Sequence, residues 1–114
     1  ADGRLVEVAE TATDGVIACA SWRHAGNTAD LDRIIVAGEH RRRGIAGRLL
    51  GRGIAWAVGQ GAGNVLLEVA SDNTAAIGFY AANWFVPVNR RRNYYGRGVD
   101  AVVMGKRTKM EESQ

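Results

Sequence analysis

Cysteine and proline are nearly absent from this 114-residue chain: Cys19 and Pro87 are the single examples. One cysteine excludes an internal disulfide and suits a reducing, cytoplasmic setting. With one proline and no serine-rich stretch, nothing reads as a linker, and no repeat or low-complexity block interrupts the chain. No apolar run approaches the ~18 residues of a membrane-spanning helix. Residues 1–12 carry Asp2, Glu7 and Glu10 and lack the unbroken apolar core of a signal peptide. The two histidines, His24 and His40, have no metal-ligand spacing around them, so no metal is expected and both are read as surface residues.

What is present fits one domain over 1–114, with a polar, frayed tail at 106–114. Apolar residues make up 46% and charged residues 24%, a balance that allows a core without covalent staples. The formal charge of +3 is mild, but the arginines are bunched at 41–43, 48 and 52, and again at 90–92 and 97. Bunched basic charge suits an anionic ligand or partner; a solvated basic face is the alternative.

Alternation at 5–9 and the β-prone stretch 16–22, separated by Asp14-Gly15, predict a hairpin. Gly26-Asn27 marks another turn before a third strand at 31–36. Apolar residues at 45, 46, 49, 50, 54, 57 and 58 follow a helical period. Four glycines at 47, 51, 53 and 59 weaken that helix by up to about 1 kcal/mol each, so packing must hold it. Residues 65–69 read as a buried strand. Ser71, Asp72 and Asn73 offer caps for a second helix at 74–82, and 85–88 and 100–104 read as the last strands. The order is β-β-β-α-β-α-β-β. The strand–helix–strand unit at 31–69 must be a parallel crossover, giving an α/β (α+β) mixed sheet with a central parallel pair.

At the start of that crossover helix stands Arg41-Arg42-Arg43-Gly44-Ile45-Ala46-Gly47. First-turn amides of a helix lack internal partners and carry partial positive charge, which makes a phosphate seat. A plain capped helix start with exposed arginines is the competing reading. Neither a nucleotide P-loop nor a dinucleotide fingerprint is present, because Gly-Lys-Ser/Thr and Gly-x-Gly-x-x-Gly are both missing.

Arg41-x-x-Gly44-x-Ala46 resembles the Gln/Arg-x-x-Gly-x-Gly/Ala signature of the GNAT N-acetyltransferases. Leu67-Glu68-Val69, Asn73-x-x-Ala76, Phe79-Tyr80 and Phe85 follow at matching spacing. Arg91-Arg92-Asn93-Tyr94-Tyr95 and Asp100-Ala101-Val102-Val103-Met104 look like one branch, the ribosomal-protein-alanine N-acetyltransferases of the RimI type. The resemblance is strong over 31–104 and loose before it. It implies acetyl-coenzyme A as co-substrate. Ile34, Ile35 and Val36 would face its pantetheine arm and thioester, Arg42, Arg43, Gly44, Ile45, Ala46 and Gly47 its pyrophosphate, and Asn73 would reach it from the second helix. Glu68 matches the family's general base and Tyr80 its general acid, while Tyr94 and Tyr95 fall at the acceptor groove. The implied acceptor is a protein N-terminal α-amino group, an alanine of a ribosomal protein in the nearest branch.

Bland readings stand beside these: Glu68 as a solvent-facing strand position, Tyr80 and the tryptophans Trp22, Trp56 and Trp84 as packing, Asn73 as a helix cap, Tyr94 and Tyr95 as a surface turn, Cys19 as a small buried hydrophobe. Alternative functions on the same residues are a lysine or small-amine acetyltransferase and a non-catalytic module binding coenzyme A or RNA. Three departures from the family pattern stand out. Ala46 replaces glycine, which requires a negative φ there. Asn83-Trp84 replaces Leu-Gly. The family's opening strand and two helices have no counterpart before Leu5, so the acceptor side is expected to expose apolar surface that a second copy or another partner would cover.

Overall fold

Leu5, Glu7 and Ala9 alternate with Val6 and Val8, and this period-two pattern extends the first strand further than predicted. In a computed structural model, which describes residues 3–41 and 43–108, β1 is Gly3–Thr11, β2 Gly15–Ala25, β3 Thr28–Val36, α1 Ile45–Gly59, β4 Asn64–Ala70, α2 Thr74–Ala82, β5 Val86–Gly96 and β6 Val99–Arg107. A single 3-10 turn, Gly38–His40, precedes α1. The expected element order and the parallel crossover are both found. The six strands lie in the order β1-β2-β3-β4-β6-β5, antiparallel throughout except for β3 against β4.

Register decides what is buried. Leu5 lies opposite Trp22, which lies opposite Leu31, and Leu67 lies opposite Met104. The face that carries them receives both helices: Leu49, Leu50 and Ala57 of α1 are buried in its core, and Ala76, Phe79 and Tyr80 of α2 pack against it. Gly53 lets α1 approach closely, because a Cβ there would fall 1.9 Å from two carbons of the Trp22 indole. On the other face Val8, Cys19 and Ile35 form one row. Val6, Val8 and Ile35 are 69%, 50% and 47% exposed, which is the apolar surface anticipated on that side.

The parallel seam is short. Only Thr28, Ala29 and Asp30 pair with Asn64, Val65 and Leu66. Its start is pinned by Asn27, whose backbone oxygen accepts from the Gly63 and Asn64 amides at 2.9 and 3.2 Å, and whose Oδ1 accepts from Gly63 at 2.8 Å. Beyond Asp30 a bulge intervenes: Leu31 faces Trp22 and Arg33 faces Ser21, leaving Asp32 as the extra residue. A bulge bends its strand. Here β3 leaves β4, and a gap opens between the C-terminal halves of the two parallel strands.

Several expectations are corrected. The strand predicted at 85–88 runs to Gly96, because β5 pairs along β6 despite its uniformly exposed, polar sequence. The tail expected from 106 is ordered further: β6 includes Lys106 and Arg107, Lys106 Nζ donates to the Asn83 carbonyl at 3.0 Å, and Thr108 Oγ1 donates to Ala62 O at 2.6 Å. Positions 109–114 of that tail lie outside the described residues. Both histidines are buried, His24 at 5% and His40 at 6% exposure. Trp84 is not a packing residue; it is 81% exposed and holds φ 72°, the left-handed geometry that a glycine takes without strain.

Candidate active site

The C-terminal end of β3, α2 and the N-terminus of α1 line a cavity of about 660 Å³. Ile34, Ile35 and Val36 line it from the strand, Gly44, Ile45, Ala46 and Gly47 from the loop and first turn of α1, and Phe79 and Tyr80 from α2. Gly44 caps α1 at φ 76° with no side-chain cap bond, and no acid lies in the first turn. The first-turn amides therefore keep their hydrogen-bonding capacity and their partial positive charge. No side chain caps this start. Ala46 sits within α1 and is not among the positive-φ residues, so its methyl is accommodated. Open space lies before the loop: a Cβ added at Gly44 or Gly47 would meet nothing within 4 Å. A phosphate-bearing ligand fits this cradle.

Other residues expected at this cavity are distributed differently. Arg42 lies outside the described residues. Arg43 turns away to a second groove, between β1 and α1, together with Arg48 and Arg52. Arg41 borders the cavity and donates from Nε to the Val36 carbonyl at 3.2 Å. Asn73 does not line the cavity. Its Oδ1 accepts from the Ala76 amide at 3.2 Å, so it caps α2.

His40, missed by sequence reasoning, is the hinge of this corner. Its Nε2 lies 2.9 Å from Asp14 Oδ2 in the β1–β2 turn, and its Nδ1 lies 3.5 Å from an Arg43 guanidinium nitrogen. An imidazole with its proton on Nε2 serves both, donating to Asp14 and accepting from Arg43. Nothing in the sequence marked it, because its partners are remote or lie on an irregular loop.

Tyr80 reaches the cavity from α2, with its ring edge-on to Phe79 at 5.2 Å and to Phe85 at 5.7 Å. Burial pushes its phenol above the ordinary tyrosine value, so the hydroxyl is a proton donor at neutral pH. Glu68 is on the opposite side of the sheet. It lies between the buried Leu67 and Val69, so the alternation that could have sent it to bulk solvent sends it into a groove of about 530 Å³. Arg23, Asp30, Asp32, Arg91, Tyr94 and Tyr95 share that groove. An Arg91 nitrogen is 3.2 Å from Glu68 Oε1, and the guanidinium also lies over the Tyr94 ring, 5.5 Å from its centre. Burial, with the Glu68 carboxylate second, pushes the Tyr95 phenol up. The gap between β3 and β4 thus separates a phosphate-fitting cavity with a phenol from a polar groove with a carboxylate.

The tyrosines depend on a stitched loop. After Arg91 pairs with Ala101, the ladder jumps to Gly96 opposite Val99, and Asn93 takes φ 53°. Asp100 holds this excursion, accepting from Arg90 Nε at 2.6 Å and from the Asn93 amide at 2.9 Å, while Asn93 Oδ1 accepts from Gly98 at 2.7 Å. The Arg90 hydrogen bond, then that of Asn93, lowers the Asp100 carboxyl pKa. A depressed carboxyl contributes its stabilisation above the ordinary value of about 3.9 and loses it as the pH falls through the folded value. Amide-exchange protection at Asn93 and Gly98, corrected for intrinsic rates, is therefore expected to hold at pH 5 and drop by pH 3. Equal protection at both would reject the role of Asp100.

Residues 2–84 match the sequence model of the acetyltransferase (GNAT) family. The chain is 32% identical over 89 residues to N-alpha-acetyltransferase 30 of Schizosaccharomyces pombe, a match that covers 76% of this chain and 59% of that protein. It therefore spans well under two thirds of the length of that curated relative. Among solved structures, the ribosomal-protein-S18-alanine N-acetyltransferase from Escherichia coli is similar at a TM-score of 0.79 and 30% identity, covering 90% of this chain and 68% of that one. Nourseothricin acetyltransferase is similar at a TM-score of 0.87 and 26% identity, covering 93% and 66%.

Proposed function

Because this chain belongs to the GNAT acetyltransferase family, we propose that it transfers an acetyl group from acetyl-coenzyme A to an amine, the amine being a protein N-terminal α-amino group. The observation that carries the reading is the uncapped N-terminus of α1, opening on a cavity on one face of the sheet, while Glu68 lies in a groove on the other face beside the β3–β4 gap. Gly44, Ile45, Ala46 and Gly47 would hold the pyrophosphate through backbone amides, and Arg41 would add charge at the mouth. Acetyl-coenzyme A supplies an acetyl group activated as a thioester. Glu68, directly or through a water, takes a proton from the attacking amine. Tyr80 donates a hydrogen bond or proton to the departing sulfur, whose thiol has an ordinary pKa of about 8.5. Backbone amides along the splayed edge of β3 near Val36 can stabilise negative charge on the carbonyl oxygen. The chain's own nucleophile is not needed, so Cys19 has no task in the reaction.

An α-amine suits a carboxylate base. With a pKa of about 8 it is about one-tenth neutral at pH 7, against less than about a thousandth for a lysine of pKa 10.4. The names of the S18-alanine and N-alpha relatives support the same acceptor, and an alanine N-terminus of a ribosomal protein is the specific form proposed. The likeness to nourseothricin acetyltransferase favours a second reading, a small-molecule amine.

Acetyl-coenzyme A is incubated with an alanine-initiated peptide, with the same peptide blocked at its N-terminus but carrying lysine, and with nourseothricin, and thiol release is followed. Release with the first alone is expected. Release with only the second or only the third moves the acceptor to lysine or to a small amine. Cofactor binding without release in any arm rejects catalysis by this chain.

A further inference from the structure

Glu68 is not a free carboxylate: Arg91 reaches it from β5, across β6, at 3.2 Å. The pair is half-exposed on the arginine side and mostly covered on the glutamate side, with side-chain exposures of 54% and 29%. The Tyr94 ring supports the guanidinium from its other side. A pairing of this kind adds little stability at a surface, so its consequence lies in the field it creates within the groove.

The charges that face Glu68 come from three strands, β2, β3 and β5. Arg23 of β2 and Asp32 of β3 pair with each other at 2.9 Å. Asp30 of β3 makes no ion pair among the described residues, and desolvation raises its pKa while Arg23 lowers it. Tyr95 of β5 is pushed up and stays a neutral phenol, and Tyr94 lies under Arg91. From β6 the groove receives only Val103. Arg91 is thus the cation that balances Glu68. Without it Glu68 and Asp30 would together confront the acceptor.

An acceptor amine arrives mostly as an ammonium and reacts only when neutral. Carboxylates close by hold an amine in its charged form, by about 1–3 pKa units for a near opposite charge. A base that is itself uncompensated would therefore bind the acceptor tightly in the wrong protonation state. We propose that Arg91 is a positioning residue that neutralises the Glu68 field so that the acceptor amine reaches the gap uncharged. This rests on the proposed acetyl transfer to an α-amine, with Glu68 as its base. No atom of Arg91 exchanges a proton: the amine proton goes to Glu68, and the guanidinium stays charged throughout.

The test compares the full chain with Arg91→Gln and Arg91→Lys, measuring kcat and KM for an alanine-initiated peptide between pH 6 and pH 9.5. Arg91→Gln is expected to lower KM several-fold and to move the rising limb of the kcat profile up by about one pH unit. Its kcat at pH 7 then falls about tenfold and recovers near pH 9. Arg91→Lys, which keeps the cation, is expected to restore the limb. A fall in kcat of equal size at every pH, or a glutamine profile identical to that of the unaltered chain, overturns the assignment. No turnover by the unaltered chain with any amine at any pH overturns the underlying acetyl-transfer reading instead, and the Arg91 proposal with it.

Discussion

Replacement of Glu68 by glutamine is expected to lower kcat by about 10²–10⁴-fold, the range that a positioned general base supplies. At about 1.4 kcal/mol per decade this is some 3 to 5 kcal/mol of barrier. The substitution is nearly isosteric, and Glu68 is flanked by Leu67 and Val69, which are anchored in the core, so the strand has no reason to move. Acetyl-coenzyme A affinity is expected to stay within about twofold, because the cavity beneath the α1 N-terminus lies across the sheet from this side chain. Rapid-mixing turnover and calorimetric binding on the same preparation separate the two quantities. A large loss of cofactor affinity would sink the general-base role, and so would near-normal turnover. Residual activity is expected to increase with pH, as the solution comes to hold more neutral amine without help from a base.

Gly53→Ala is expected to be the most damaging single-methyl change in the fold. The new Cβ would lie 1.9 Å from the Trp22 atoms Cε2 and Cζ2 and 2.3 Å from Nε1, and Trp22 is 1% exposed. Overpacking of a core typically destabilises by about 1–3 kcal/mol, and a clash with a rigid indole falls at the upper end. Better helix propensity offsets about 1 kcal/mol of that. A net loss of about 2 kcal/mol lowers Tm by on the order of 10 °C in a chain of this size. The partner is identifiable, so the argument extends to a double variant. Trp22→Phe removes the fused-ring edge of Nε1, Cε2 and Cζ2 that the methyl strikes, and Trp22 Nε1 has no hydrogen-bond partner to lose among the described residues. Gly53→Ala should therefore harm the phenylalanine background less than the native one, by a coupling of about 1–2 kcal/mol. Additive thermal shifts would show that helix and indole do not meet as described.

The order of elements was legible in the sequence because the first strands and the first helix carry a period of their own and turn or cap residues separate the rest, and the helix limits at 45 and 74 were set by Gly44 and Asn73. The cavity loop was legible for the same reason that it is useful: glycines and an uncapped first turn leave a chemical signature. What escaped notice depended on distant pairing. The stretch 89–96 has no apolar alternation, so only its ladder with β6 makes it a strand. His40 is buried by Asp14, 26 residues away, and Lys106 is ordered by the Asn83 carbonyl. The arginine bunch looked like one feature, yet a 3-10 turn and a left-handed glycine split it between two sides of α1. Glu68 was undecided between solvent and chemistry on alternation alone. The exposed face of β4 is there the floor of a groove that Tyr94 and Tyr95 share, which only the β5–β6 pairing could reveal.

Three residue pairs join β3 to β4, whereas β1-β2-β3 and β4-β6-β5 are each knitted along most of their length. Mechanically the sheet is two leaves bound at one edge, with the α1 crossover as its spine. At the open end the C-terminal halves of β3 and β4 share no ladder pair. The leaf bearing Tyr94 and Tyr95 is held to the leaf bearing the α1 loop at Thr28, Ala29 and Asp30, at Asn27 and through the core that both leaves share.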